Sequence, residues 1–355
     1  KNGYEHFMLK EIHEEPSVIK KTFDKYIDNN KIGDKIPDLS KYEKITIVAC
    51  GSAYHAGLIG KNLIENYANV PVDVEIASEY RYKKHFFNEK ELVIVVSQSG
   101  ETADTLASLK LAKENKIDTL GIINVKESSI ARESDIVLYT EAGNEIAVAT
   151  TKAYSAQVAL LSLISLTIAS KNELLNKDEK LEILKEIKLL PNKIEQLINT
   201  DNYQKIAEEI YKDDDIFFLG RGIDYAIALE GSLKLKEISY IHSEAYAAGE
   251  LKHGTISLID KGTPVIAIIT DNSIKDKTIS NVKEVKARGA KTILISNENL
   301  DNSCFDKKVI IPNVHPLLQP LLTVIPLQLI AYEVAKLRNC DIDKPKNLAK
   351  SVTVE

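Results

Sequence analysis

The sequence has little of what marks an exported or a nucleic-acid-binding protein. Its three cysteines, Cys50, Cys304 and Cys340, lie far apart in 355 residues. Their odd number and wide spacing argue against a disulfide framework or a cysteine zinc site, and suit a reducing cytoplasm. Positive charge is not in excess, since 46 basic against 52 acidic residues give a net charge of −6. Any binding of an anion must therefore come from a local site.

Long apolar runs and a secretion signal are also missing. The opening residues, KNGYEHFMLKEIHEEP, are charged, unlike a signal peptide. The longest apolar stretches, 158–169 and 317–332, are short or interrupted by proline, so no membrane span is predicted. The first residue is not methionine, and we expect the chain to be a fragment of a longer, cytoplasmic protein.

Metal chemistry is not indicated. The histidines show no metal-ligand spacing with acidic partners, and we expect neither a metal nor a cofactor. The seven histidines are His6, His13, His55, His85, His242, His253 and His315.

The chain does carry a repeated alternation of strands and helices. It is 44% hydrophobic, enough for a full core. Strand patterns at 44–49, 72–76, 92–96, 119–124 and 136–139 alternate with helical patterns, which predicts a parallel sheet covered by helices on both faces. The series restarts at 216–219, 265–269 and 292–297.

Two offsets indicate that this alternation is duplicated. Gly51 and Gly222 are 171 residues apart (222 − 51), and Thr119 and Thr292 are 173 apart (292 − 119). Nearly equal offsets predict two tandem, doubly wound, three-layer α/β units with parallel sheets. We place a helical segment at 1–39, the first domain at 40–200 with a pair of connecting helices at 171–201, the second domain at 201–340, and a surface tail or lid at 341–355.

The loop SQSGET, residues 97–102, follows the buried strand pattern LVIVV. Ligands bind at the carboxyl ends of strands in such sheets, where a new helix offers unpaired N–H groups. Ser97, Gln98, Ser99 and Thr102 add side-chain donors, and Gly100 permits close approach. The loop either holds a phosphate monoester or merely caps the helix. We expect Glu101 to face solvent. The corresponding TDNSIKD of the second unit has two aspartates and no glycine, which predicts a poor anion site.

Other charged residues are ambiguous by themselves. Glu230, Lys234 and Glu237 share one helix face, and a solvated, salt-bridged stripe is their ordinary interpretation. His253, in ELKHG, is as a lone histidine more often structural or exposed than catalytic. Lys350 is one lysine among many in a segment without periodicity.

Longer motifs resemble a known family. VVSQSGETADT looks like the phosphate loop of the SIS (sugar isomerase) fold. Together with ACGSAYHAG, EIAVATTKAY, LEGSLKLKEISYIHSEAYAAGELKHG and NLAKSVTVE, it resembles the isomerase region of glutamine–fructose-6-phosphate aminotransferase. The resemblance covers essentially the whole chain and implies two SIS-type units and an isomerase or aminotransferase acting on fructose 6-phosphate in amino-sugar synthesis.

The resemblance also implies roles for individual residues. Glu237 matches the base that moves a proton between C1 and C2, a task that a carboxylate can perform. His253 matches the group that opens the sugar ring. Ring opening needs a group that gives and takes a proton, and histidine titrates in a suitable pH range. Lys350 matches a lysine that forms a Schiff base with the ketose. The substrate-binding set that it implies comprises Ser52, Ser97, Gln98, Ser99, Thr102, Val148, Thr150, Glu230 and Lys234.

Partners follow from the same resemblance. It implies a homodimer in which His253 completes the neighbouring subunit's site, and a glutaminase domain in the full-length protein. That domain supplies ammonia for glucosamine 6-phosphate and is missing from this sequence. No nucleic acid or membrane partner is expected.

The sequence departs from the family pattern at two places. Ala53 stands where the family has a hydroxyl, and Lys346 stands where arginine is usual. The first change puts one sugar or phosphate contact in doubt, and the second removes a bidentate fork while keeping the charge.

The sequence is also compatible with two other functions. A sugar-phosphate-binding regulator would keep the loop and lack turnover. A related deglycase would act on phosphorylated amino-sugar adducts rather than on fructose 6-phosphate.

Overall fold

The computed structural model describes residues 1–200 and 202–354. Its helices are α1 Phe7–His13, α2 Glu15–Tyr26, α3 Gly51–Leu63, α4 Ala77–Tyr80, α5 Ala103–Glu114, α6 Ser129–Glu133, α7 Lys152–Lys171, α8 Lys177–Ile198, α9 Tyr203–Ile210, α10 Ile223–Ser239, α11 Lys275–Ala287 and α12 Gln319–Leu337. Its strands are β1 Ile27–Asp28, β2 Lys31–Ile32, β3 Lys44–Ala49, β4 Val72–Ile76, β5 Glu91–Ser97, β6 Asp118–Ile123, β7 Ile136–Tyr139, β8 Asp215–Gly220, β9 His242–Ala247, β10 Pro264–Ile269, β11 Lys291–Ser296 and β12 Lys307–Ile310.

The chain divides into two compact units, which are described separately. The first unit comprises Glu14–Glu145, Lys152–Pro191 and the residues from Ala349 onward. The second comprises Lys1–His13, Ile146–Thr151 and Asn192–Leu348. The domain boundaries predicted from sequence remain a prediction, and two of them involve residues 201 and 355, which lie outside the described residues.

Each unit is built on a five-stranded parallel sheet. The strand order is β4-β3-β5-β6-β7 in the first unit and β9-β8-β10-β11-β12 in the second. All of these pairings are parallel, with Ile47 beside Ile94 in the first sheet and Phe218 beside Ile266 in the second. If the strands of each sheet are numbered in chain order, both sheets have the same strand order. This confirms the predicted duplication and the doubly wound class.

The central strands form because their side chains are apolar on both faces. Every residue of β5 is buried, as is every residue of β10. A strand covered by helices on both faces must be apolar throughout rather than alternating, and the run LVIVV meets that requirement.

Two helices are apolar on all sides. By length and composition, Lys152–Lys171 and Gln319–Leu337 could each cross a membrane, but 94% and 83% of their apolar windows are buried within the fold. They contain most of the two apolar stretches found in the sequence. Helix α7 packs on α2 and α3 of the first unit, and α12 packs on α1, α9 and α10 of the second. They are core helices, as all-round apolar helices usually are.

One local prediction is wrong. The segment 171–201 was expected to form a pair of helices. Its described residues instead form a single helix of 22 residues, α8, with Pro191 inside it.

Candidate functional site

The first unit places two hydroxyl-bearing segments at neighbouring strand ends. Ser52 lies in the first turn of α3, directly after β3, and the loop 97–102 follows the adjacent strand β5. The chain leaves β3 toward β4 on one side and β5 toward β6 on the other. This is the switch point of the sheet, where open α/β folds bind their ligands. The structure thus brings Ser52 and SQSGET to one edge.

The loop is organised by its own hydroxyls. The Ser97 Oγ accepts the N–H of Gly100 at 3.0 Å and lies 3.1 Å from the Thr102 Oγ1. The Ser99 Oγ accepts the N–H of Glu101 at 3.2 Å. Thr102 occupies the position before α5 but its side chain makes no capping bond. The first N–H of that helix, of Ala103, instead donates to the Val352 carbonyl at 3.1 Å. Side-chain capping of α5 therefore does not explain this loop.

Gly100 is required by the shape of the turn. Its φ is +67°, in the left-handed region, and a Cβ there would lie 2.0 Å from the Ser128 Oγ. Any other side chain would clash with Ser128, which is itself 3% exposed. Glu101 is exposed, and its carboxylate accepts the N–H of Ser129 at 2.8 Å, at the start of α6. Hydrogen bonds from the Ser129 hydroxyl and then from its N–H hold the pKa of Glu101 below its ordinary value.

Lys350 belongs to the same unit. Its Nζ donates to the Glu145 Oε2 at 2.5 Å, and the side chains are 25% and 0% exposed. The other oxygen, Glu145 Oε1, accepts the N–H of Ala153 at 3.1 Å, in the first turn of α7. Sequence reasoning missed Glu145, although it opens the segment EIAVATTKAY, because nothing local shows which cation it meets.

The charged face of α10 lies in the second unit and is not a solvated stripe. Glu230 and Lys234 have no exposed side-chain surface, and Glu237 is 20% exposed. The Lys234 Nζ lies 2.5 Å from the Glu237 Oε2 and 3.5 Å from the Glu230 Oε1. Burying two charges fully and a third in part is costly, so this cluster is atypical of a structural helix face. The Lys234 ammonium fixes the Glu237 carboxylate while leaving part of it accessible.

Three other predicted residues also lie in the second unit. His253 ends a short 3₁₀ turn, Ala248–His253, and is exposed. Val148 and Thr150 lie on Ile146–Thr151. The Val148 N–H donates to the Asp343 carbonyl at 3.0 Å, which fixes this segment to the chain just before the tail.

The corresponding switch point of the second unit holds a carboxylate of its own. Asp224, in the first turn of α10, is 2% exposed. It accepts the N–H of Thr270 at 2.8 Å, the Thr270 hydroxyl at 2.5 Å and the N–H of Asp271 at 3.3 Å. Burial raises the pKa of Asp224 to about 6. The N–H groups that follow β10 are thus engaged by an internal carboxylate, which agrees with the poor anion site predicted for TDNSIKD.

The two departures from the family pattern have local structural settings. Ala53 lies in the first turn of α3 next to Ser52, and the nearby Cys50 thiol has its pKa raised by burial. Lys346 places its Nζ 4.4 Å from the centre of the Tyr240 ring, and its N–H donates to the Tyr240 hydroxyl at 2.9 Å. Its charge is therefore held by an aromatic face rather than by a bidentate fork.

The predicted residues therefore fall into two groups, one in each unit. The first unit contains Ser52, Ser97, Gln98, Ser99, Thr102 and Lys350. The second contains Val148, Thr150, Glu230, Lys234, Glu237 and His253. No cluster of three or more potential metal ligands occurs among the described residues.

Comparison with known proteins agrees with this arrangement. The SIS domain model matches twice, at residues 38–166 and 209–338. The chain belongs to the SIS domain family. The first match contains strands β3 to β7 and the second contains β8 to β12, so each match contains one complete parallel sheet. The duplication seen in the structure is therefore a duplication of the SIS domain.

Sequence relatives show which proteins of the SIS domain family this chain resembles. The proteins named glutamine–fructose-6-phosphate aminotransferase (isomerizing) of Caldanaerobacter subterraneus subsp. tengcongensis and of Clostridium tetani are each 53% identical to it, over 364 and 366 residues. Both alignments cover 100% of this chain and 60% of the relative. The chain thus spans less than two thirds of the length of these proteins.

Solved structures show which region it matches. The C-terminal domain of a protein named glucosamine-fructose-6-phosphate aminotransferase, from Francisella tularensis, is 41% identical, with a TM-score of 0.91. The match covers 97% of this chain and 99% of that one. A glucosamine-6-phosphate deaminase from Thermotoga maritima is 26% identical, with a TM-score of 0.76 and coverage of 98% and 99%. The chain corresponds to the sugar-phosphate isomerase region of glutamine–fructose-6-phosphate aminotransferase, which confirms the resemblance seen in its motifs.

Proposed function

We propose that this chain binds fructose 6-phosphate, opens its ring and isomerises the ketose to the aldose. The observation that carries the proposal is the buried cluster on α10, in which Lys234 fixes the partly accessible Glu237 at 2.5 Å. A carboxylate held in place and still accessible suits the transfer of a proton between adjacent carbons.

Each residue then has one task. The loop SQSGET and Ser52 hold the 6-phosphate through N–H and hydroxyl donors, without a basic side chain in the loop. His253 transfers the proton that opens the ring. Lys350 forms an imine at C2 that holds the open chain, and water then hydrolyses this imine and frees the lysine amine. Glu237 takes a proton from C1 of the released ketone and returns one to C2 while the O1 proton passes to O2, which converts ketose to aldose. Val148 and Thr150 line the sugar, and the buried Glu230 supports Lys234 beside Glu237.

The wider reaction depends on a partner. In a full-length protein, a glutaminase domain would supply ammonia, and the product would be glucosamine 6-phosphate for amino-sugar synthesis in the cytoplasm. The match to 60% of each relative's length supports that proposal. The exposure of His253 in the single chain supports a homodimer in which this residue acts in the partner's site.

The first experiment is direct conversion. The chain mixed with fructose 6-phosphate should produce glucose 6-phosphate, and Lys350→Ala should reduce the rate by about two orders of magnitude or more. Lys346→Ala, which changes a nearby lysine without the proposed chemistry, is the matched control. Binding of fructose 6-phosphate without turnover would favour a regulator, whereas activity only on glycated amino acid phosphates would favour a deglycase.

A second experiment tests the shared site. Glu237→Gln and His253→Ala chains should each be inactive alone and recover some of the activity after mixing and exchange of subunits. Recovery is expected because one mixed dimer site contains both an intact Glu237 and an intact His253. If the mixture stays as inactive as its components, His253 does not act across the interface.

A further inference from the structure

Both oxygens of the Glu145 carboxylate accept a hydrogen bond, and one of the two donors is Lys350. One oxygen accepts the N–H of Ala153 at 3.1 Å, and the other accepts the Lys350 Nζ at 2.5 Å. The Ala153 bond lies in the first turn of the 20-residue helix α7, whose dipole favours a negative charge there. The carboxylate is therefore held in place by the helix, independently of the lysine.

A purely structural role, in which this ion pair only attaches the C-terminal tail to the first unit, explains the pair poorly. The Glu145 side chain has no exposed surface, and burying an ion pair generally gains little stability for its desolvation cost. The tail is also attached elsewhere, because the Val352 carbonyl accepts the N–H of Ala103. The nearby pair of Lys152 with Glu14, at 2.6 Å, is of the ordinary kind, since its carboxylate is 33% exposed.

We propose that Glu145 is a further catalytic residue, the group that holds the Lys350 amine and accepts its proton when the imine forms. This inference rests on the proposed function, since it assigns the acid–base partner of the proposed Schiff-base lysine. A lysine attacks a carbonyl only as the neutral amine, so its ammonium proton needs an acceptor within hydrogen-bonding distance. Glu145 is at that distance.

The step balances in protons and electrons. The Lys350 ammonium gives one proton to the Glu145 Oε2, and the nitrogen lone pair forms the bond to C2 while the carbonyl π electrons move to oxygen. A second proton passes from nitrogen to that oxygen, giving the carbinolamine. The proton held by Glu145 then protonates the hydroxyl, which departs as water as the C=N bond forms. Glu145 ends ionised beside a protonated imine, whose positive charge it stabilises.

The experiment traps the imine. Wild type, Glu145→Gln and Glu14→Gln are incubated with fructose 6-phosphate and sodium borohydride, and the reduced adduct on the Lys350 peptide is quantified by mass spectrometry. Glu145→Gln keeps the shape and removes the proton acceptor, so the adduct rate and kcat should fall at least about tenfold. Glu14→Gln removes a comparable ion pair near the same helix start and should leave the adduct unchanged.

Two further measurements separate chemistry from tail attachment. Affinity for glucitol 6-phosphate, which has no carbonyl group, should change less than about threefold in Glu145→Gln. If the ion pair only attached the tail, its loss would instead lower this affinity and leave kcat unchanged. In a Lys350→Ala background, adding Glu145→Gln should change the residual rate by less than about twofold, because both substitutions remove one step. Glu145→Asp should recover some of the adduct rate, since it keeps the acid.

The outcomes distinguish this inference from the proposed function. A wild-type chain that forms glucose 6-phosphate and the Lys350 adduct, with Glu145→Gln forming the adduct at the same rate, overturns the role of Glu145 alone. A fall in glucitol 6-phosphate affinity with unchanged kcat also overturns it. A wild-type chain with neither conversion nor adduct overturns the proposed function and, with it, the role of Glu145.

Discussion

Gly100→Ala should destabilise the phosphate loop through two separable effects. The φ of +67° costs an alanine about 1 kcal/mol relative to glycine. The new Cβ would also lie 2.0 Å from the Oγ and 2.5 Å from the Cβ of Ser128. Relieving that overlap means moving Ser128, which is 3% exposed, and overpacking of this kind costs about 1–3 kcal/mol. The expected total is about 2–4 kcal/mol of unfolding free energy.

A double-mutant cycle with Ser128→Gly separates the two effects. Ser128 has an extended backbone, with φ −67° and ψ 162°, which glycine adopts readily. Without the serine side chain, the atom nearest to the alanine Cβ would be the Ile123 Cγ2, at 3.1 Å. The cost of Gly100→Ala should then fall to about 1 kcal/mol, which gives a coupling energy of about 1–3 kcal/mol.

Urea unfolding followed by circular dichroism measures the four members of this cycle, and titration with inorganic phosphate reports on the loop itself. Phosphate affinity should fall in Gly100→Ala and recover partly in the double variant. Equal costs in the two backgrounds would refute the steric argument, and a cost within about 0.5 kcal/mol of zero for Gly100→Ala would refute both effects.

Two further stability predictions concern the second unit. Because burial raises the pKa of Asp224 to about 6, its protonated form is favoured on folding, and this contribution is complete below pH 4 and lost as pH rises through 6. Relative to Asp224→Asn, the unfolding free energy of the wild type should therefore fall by up to about 3 kcal/mol between pH 4 and 7, and parallel pH profiles would contradict this. Lys234→Met removes a cation buried between two carboxylates and should cost about 3–5 kcal/mol in urea unfolding. The exposed Lys236→Met on the same helix should cost less than about 0.5 kcal/mol, and similar costs for both would show that the buried cluster contributes little.

The sequence by itself determined most of the strands and their arrangement in two units, but not the single helix α8. The runs KITIVA and LVIVV are apolar on both faces, and that pattern is stable only in a covered parallel sheet, so local composition was sufficient. The turn could also be predicted locally, because a glycine such as Gly100 of SQSGET readily adopts the left-handed φ that the structure shows. The equal spacing of the two series fixed the duplication without any knowledge of packing.

Only the tertiary structure decided which charges meet and which are buried. Glu230, Lys234 and Glu237 have the spacing of a solvated stripe, and their burial depends on what packs over α10 rather than on the helix. Glu145 and Lys350 are 205 residues apart and find each other only after the tail has folded back onto the first unit. Likewise, Asp224 reaches Thr270 only when α10 and β10 are side by side. Ionic contacts act through space over a few ångströms, so a linear pattern contains the groups but not their partners.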